Sequence, residues 1–304
     1  MTATVNDAQA DLDFCAGALG LRLVKKTVNF DNHHVFHFYY GNERGVPGTL
    51  WTTFPYKGHG VRVGTHGAGQ ITTTSFSVPA GSLDWWRSRL TARGVDVRDV
   101  PARFGDAALA CTDSSGLEFE LVATDQDSRT PWTAAGVGPE AAVRGLYSVT
   151  MAVRSPVRTL ELVTGLLGFT KVNEADGRTR VVIGDNTPGH VIDIVSDWDQ
   201  PQGVNGLGTV HHVAMAVATG EEQRRLRQEL LRLGLQVTDI RDRCYFESIY
   251  FREPGGVLFE VATVDPGFLI DEPLPSLGQD LKLPPWEEPY REEIQRGLPA
   301  VKLP

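Results

Sequence analysis

Cysteine is scarce in this chain. Cys15, Cys111 and Cys244 are the only three among 304 residues. Odd in number and without close spacing, they argue against a disulfide framework and a thiolate zinc site, and a reducing cytoplasm is the expected compartment. Long apolar runs are missing too. None approaches the ~18 residues that a membrane span needs, so a membrane is not an expected partner. Basic charge is not in excess: 29 Lys and Arg face 38 Asp and Glu, for a net charge of -9. With a pI near 5.4, the chain does not offer the basic face that a nucleic-acid backbone selects. The first residues, MTATVNDAQADLDF, lack the basic flank and apolar centre of an export signal. What remains is a composition of 41% hydrophobic and 22% charged residues, that of a globular protein with a small molecule as its expected ligand.

The chain repeats itself. With a constant offset of 140, residues 72–120 lie over 212–260: Gly94 falls on Gly234, Asp99 on Asp239, Arg103 on Arg243, Gly116 on Gly256, Phe119 on Phe259 and Glu120 on Glu260. A second offset, 148, sets Gly17 and Gly20 on Gly165 and Gly168, Val5 on Val153 and Thr2 on Thr150. Four related units follow. Each reads as a strand (TTTSFSV at 72–78, LYSVTMAV at 146–153, VHHVAMAV at 210–217), then a helical pattern, then short strands. In the last unit the helix is GEEQRRLRQELLRLG, and a Pro-Gly-Gly turn separates SIYFRE from VLFEVAT as in a hairpin. The expected fold class is α+β, with four βαβββ modules paired into two cup-shaped sheets. The module at 208–264 should pair with the N-terminal one, and the middle two with each other. In sequence the modules divide into 1–125 and 146–264, followed by a C-terminal extension at 265–304 that packs on them.

Where the units differ, chemistry is expected. Thr72 stands where the partner unit has His212, preceded by His211. Strand alternation predicts that one of the two histidines enters the cup while the other points into its support. Glu260 lies on a later strand of the same unit, and imidazole with carboxylate suits iron(II), manganese(II), nickel(II) or zinc. Between them stand Arg243, able to anchor an anionic oxygen, and Tyr250, able to donate a hydrogen bond or relay a proton. Arg103 in the unit without His212 leaves a turn-capping role open for this arginine position. His33, Val35, His37 and Tyr39 would share one strand face opposite His34, Phe36, Phe38 and Tyr40, and read as a wet face beside an aromatic core rather than a pocket wall. The glycine-rich run at 56–70 lacks the context of a dinucleotide loop and reads as a linker.

These residues resemble the ring-cleaving dioxygenases that open para-hydroquinones, a family within the vicinal-oxygen-chelate (glyoxalase/bleomycin-resistance/dioxygenase) superfamily. The likeness runs the length of the chain and is carried by GLRLVKKTVNFD at 20–31, YYG with the later PGT at 39–49, TVHHVAMAV at 209–217, DRCYFESIYFREPGGVLFEVAT at 242–263 and LKLPPW at 281–286. The resemblance implies Fe(II), with Mn(II) the less favoured metal, held by two histidines and one glutamate, with a small aromatic substrate and O2 as partners. On the matching positions it makes His212 and Glu260 metal ligands, and His211, Arg243 and Tyr250 catalytic residues around them. A homo-oligomer is compatible with this reading.

The sequence departs from the family pattern in one place. Members usually carry another His-His pair in the first strand, a few residues before the Asp-Ala-Gln found here at Asp7–Gln9. Under the 148 offset, Ser148 corresponds to the position before Met1. Either the given sequence starts after that ligand, which is the favoured expectation, or the chain is a true two-ligand variant; as written, it is expected to hold iron weakly. Two other readings use the same cup: a glyoxalase-like metal isomerase or lyase, with a further carboxylate ligand, and a non-catalytic binding protein of the bleomycin-resistance kind, which needs no metal.

Overall fold

A computed structural model describes all 304 residues. The first module comprises β1 (Thr2–Val5), α1 (Ala8–Leu12), β2 (Arg22–Asn29), β3 (Asn32–Gly41) and β4 (Trp51–Pro55). The second comprises β5 (Gln70–Val78), α2 (Leu83–Ala92), β6 (Asp96–Asp99), β7 (Ala108–Thr112) and β8 (Glu118–Ala123). In the third are β9 (Gly145–Val153), α3 (Val157–Gly165), β10 (Phe169–Ala175), β11 (Arg178–Ile183) and β12 (Val191–Ser196). The fourth has β13 (Thr209–Val217), α4 (Gly220–Arg232), β14 (Arg241–Asp242), β15 (Glu247–Arg252) and β16 (Leu258–Thr263). A last helix, α5 (Arg291–Gly297), lies in the C-terminal extension.

The strands form two eight-stranded sheets, ordered β14-β15-β16-β13-β1-β4-β3-β2 and β10-β11-β12-β9-β5-β8-β7-β6. Each sheet joins two modules back to back through antiparallel first strands, β1 with β13 and β5 with β9. Within every module the first and last strands pair in parallel. The predicted βαβββ modules and their pairing, first with fourth and second with third, are therefore the architecture, and each sheet takes one module from each half of the chain. The joins differ in length. β5 pairs with β9 from Gln70–Ala152 to Ser77–Gly145, whereas β1 meets β13 only from Thr2–His212 to Thr4–Thr209.

Local chemistry explains the elements that hold the cup. Asp7 caps α1 by accepting from the Gln9 and Ala10 amides, and Thr219 caps α4 by accepting from Glu222 N, while the Glu222 carboxylate accepts from Ala218 N. Helix α4 is docked by buried Gln223, whose amide donates to the carbonyls of Glu247 and Val261, and by fully buried Leu230. Both α2 and α4 end at a glycine in the left-handed region, Gly94 (φ 73°) and Gly234 (φ 78°). That conformation is why the repeat keeps glycine there. One continuous apolar core, including Phe38, Phe76, Trp86, Phe119 and Phe259, runs through both sheets.

Candidate active site

The concave face of the first sheet carries a row of facing side chains. In the strand register Tyr250 is opposite Glu260, Glu260 beside Ala214, Thr2 opposite His212, and Thr2 and Tyr39 on either side of Thr52. His212 is two residues from Ala214 and so shares the face that Glu260 occupies. The row lines a cavity of about 1050 Å³, together with His211, Arg243 and His37.

Glu260 and His212 are both buried, and His212 Nε2 stands 2.9 Å from Glu260 Oε2. The other oxygen of Glu260 accepts from the Ser248 hydroxyl and from the Tyr250 hydroxyl at 2.8 Å. Burial alone would raise the pKa of this carboxyl, but His212 beside it and the hydrogen bonds from His212, Ser248 and Tyr250 bring it down to about 2. Tyr250 is held protonated by burial and by the neighbouring carboxylate, and its oxygen also accepts from Arg243 Nε at 3.2 Å. Arg243 donates its other arm to Asp31 at 3.0 Å. Burial works against the Arg243 charge, yet Tyr250 and Asp31 raise its pKa above the ordinary value.

Both histidines of the pair reach this site, which corrects the expectation that they point to opposite faces. Their Nδ1 atoms are 2.8 Å apart and both rings line the cavity. The cause is a β-bulge: Thr2 pairs with His212 and Ala3 with Val210, so His211 has no partner across the strand and the alternation slips by one. The second sheet carries the same irregularity between Ile71 and Thr73, at Thr72. His211 opens onto the cavity, while the surrounding protein crowds its ring; burial, then the charges of His212 and Arg252, push its pKa down to about 3.

A second correction concerns β3. Phe36, Phe38 and Tyr40 do join the core, but His37 and Tyr39 are buried cavity wall rather than a wet face. His37 Nε2 contacts Thr52 Oγ1 at 2.9 Å, and burial first, then His212, depresses its pKa well below the ordinary value. His33, further along the strand, instead meets Glu287 at 2.7 Å. Alternation placed His37 and Tyr39 on one face, but which face the cavity lies on depends on the partner module, which local sequence does not contain.

Imidazole and carboxylate facing each other at His212 and Glu260 are ligand types suited to a divalent metal. No cluster of three or more His, Cys, Asp and Glu side chains stands ready for one, so the residues present supply two donors. At the equivalent place in the second sheet the charge is used differently. Glu120 pairs with Arg103 and accepts from Ser75 Oγ, and Asp193 pairs with Arg178 and Arg180. Arg103 thus neutralises the carboxylate that corresponds to Glu260, rather than capping a turn.

Residues 145–261 match the family described as the Glyoxalase/Bleomycin resistance protein/Dioxygenase superfamily. Over nearly its whole length the chain is similar to two proteins of Bacillus subtilis (strain 168) provisionally named as ring-cleaving dioxygenases. It is 41% identical to MhqE, over 99% of this chain and 97% of that protein, and 39% identical to MhqO, over 98% and 94%. The chlorohydroquinone/hydroquinone 1,2-dioxygenase of Sphingobium indicum is 37% identical, over 98% of this chain and 94% of the relative. Among solved structures, a protein described as a dioxygenase by provisional assignment, from Bacillus subtilis subsp. subtilis str. 168, superposes with a TM-score of 0.94 at 38% identity, covering 100% of this chain and 96% of that one. Glyoxalase I from Zea mays shares the fold, with a TM-score of 0.63 at 13% identity over 86% and 90% of the two chains. A repeated βαβββ architecture and relatives matched from end to end thus lead to one assignment: the chain belongs to the glyoxalase/bleomycin resistance/dioxygenase superfamily, among its ring-cleaving dioxygenases.

Proposed function

We propose that the protein cleaves the aromatic ring of hydroquinone-type substrates with O2, using Fe(II). The observation that carries this reading is the buried His212–Glu260 pair, flanked within one cavity by Arg243, Tyr250 and His211. His212 and Glu260 are the residues that would hold the iron. When bound, it would supply a site at which a phenolate and dioxygen can exchange electrons.

The chain's own residues account for the rest. Arg243, cationic and fixed by Asp31, anchors the substrate oxygen that becomes negative. His211, neutral at pH 7, presents its Nε2 as the hydrogen-bond acceptor for a substrate hydroxyl, since its Nδ1 is engaged with His212. Tyr250 stays protonated and keeps Glu260 oriented through its hydroxyl. Apolar wall residues of the cavity, among them Phe54, Leu146 and Phe246, exclude water from the ring.

The test is anaerobic loading with Fe(II), followed by hydroquinone and isotopically labelled O2. One O2 consumed per hydroquinone, with label in a ring-opened acid, is expected. Turnover of a glutathione–methylglyoxal adduct without oxygen consumption would overturn the reading in favour of an isomerase.

A further inference from the structure

Lys25, in the middle of β2, has no solvent exposure. A buried ammonium is costly unless it is paired, so its partners identify what it is for. They come from the C-terminal extension. Lys25 Nζ meets Asp271 at 2.6 Å and also bonds Glu272, and it lies 5.0 Å from the centre of the Tyr245 ring. Tyr245, itself fully buried, donates its hydroxyl to the second oxygen of Asp271 at 3.0 Å. Its carbonyl accepts from Gly267 N. Three distant parts of the chain, β2, residues 242–246 and residues 267–272, thus close on one ammonium.

The middle part matters to the cavity. Residues 242–246 form a tight turn: Arg243 N donates to Phe246 O, Tyr245 N to Arg243 O, and Cys244 N to the Asp242 carboxylate, with Cys244 at φ 64°. That conformation is strained for a side chain larger than glycine and persists only where surroundings impose it. Arg243 and Phe246 project from this turn into the cavity, while Tyr245 between them points the other way, onto Lys25.

We infer that Lys25, with Asp271 and Tyr245, is a positioning group that holds the 242–246 turn and so aims Arg243 at the substrate. The inference rests on the role proposed for Arg243. None of the three touches the cavity's contents: Lys25 acts on Asp271, Asp271 on Tyr245, and Tyr245 on the backbone that carries Arg243. The extension is in this way part of the binding machinery rather than a cover on the fold.

The test combines hydrogen exchange with a double-mutant cycle. In Tyr245→Phe, which removes only the hydroxyl, and in Lys25→Met, amides of 243–246 should exchange about tenfold faster while those of β9–β12 are unchanged. Calorimetric binding of hydroquinone, measured without oxygen, should weaken about tenfold, as when a supporting partner is removed. In an Arg243→Ala background the same changes should add nothing further, because the group they position is gone. Unchanged exchange in the turn, or binding losses that add to that of Arg243→Ala, overturns the inference. If the wild-type protein binds no hydroquinone, the substrate reading fails instead, and the exchange data alone decide whether the clamp exists. Should Lys25→Met fail to fold, Tyr245→Phe keeps the decision open to measurement.

Discussion

Glu260 receives hydrogen bonds on both oxygens, from His212 on one and from Ser248 and Tyr250 on the other. Its neighbours separate two kinds of defect. On the proposed role, Glu260→Ala removes a charge and an iron donor together, so this variant should lose both iron and oxygen consumption. Tyr250→Phe removes one hydroxyl, leaves His212 and Glu260 facing, and should lower kcat by about 10- to 100-fold with iron retained. Elemental analysis beside oxygen uptake distinguishes them, and loss of iron in both variants would show that Tyr250 is needed for the metal itself. Of these residues, His212 stood out because the repeat diverges there, at Thr72, while Arg243 and Glu260 fall on matching positions of the repeat and Tyr250 lies between them. His37 and Tyr39 were not, since a histidine on an alternating strand looks the same facing solvent or facing a cup.

Helix α1 shows how an element can carry pH sensitivity away from the site. Asp11 is buried and accepts from Tyr40 at 2.7 Å and Thr53 at 2.6 Å, with Cys15 near its other oxygen. Burial outweighs these bonds and lifts its pKa from 3.8 to about 7, with Asp113 adding repulsion. In the unfolded chain the carboxyl ionises first, so raising the pH through this window favours unfolding. The contribution is lost progressively between the unfolded value of 3.8 and about 7. Asp11→Asn cannot ionise. It should therefore be more resistant to urea than the wild type at pH 8 and no more resistant at pH 4, and equal urea midpoints at pH 8 would refute a raised Asp11 pKa in the fold. At this scale the sequence marked α4 and the strands by their periodicity, but not the bulge at His211. A bulge is a property of two strands in register, and only one of them is local.

Across the whole molecule, two sheets of one design have been put to different uses. The first keeps His212 and Glu260 in a cavity; the second spends its carboxylates on arginines. Arg180 is held on several sides, gripping Asp193 through Nε at 2.7 Å and Nη2 at 2.9 Å, reaching Asp106 at 2.5 Å and lying over the Phe104 ring. Arg180→Met should destabilise the protein by about 3 kcal/mol by stranding buried charge, while hydroquinone binding beside His212 and Glu260 stays within twofold. Chemical denaturation and calorimetry check both halves, and a large loss of binding would mean that the sheets are coupled. The sequence by itself determined the number of modules, their internal order and most of the polar groups of the site, because glycines in left-handed turns and duplicated side chains leave marks at fixed offsets. Only the tertiary structure decided that both histidines face inward, that β3 walls the cavity, and that Lys25 reaches across 246 residues to Asp271. These depend on which strand lies beside which, and contacts between distant segments leave no period in the chain that makes them.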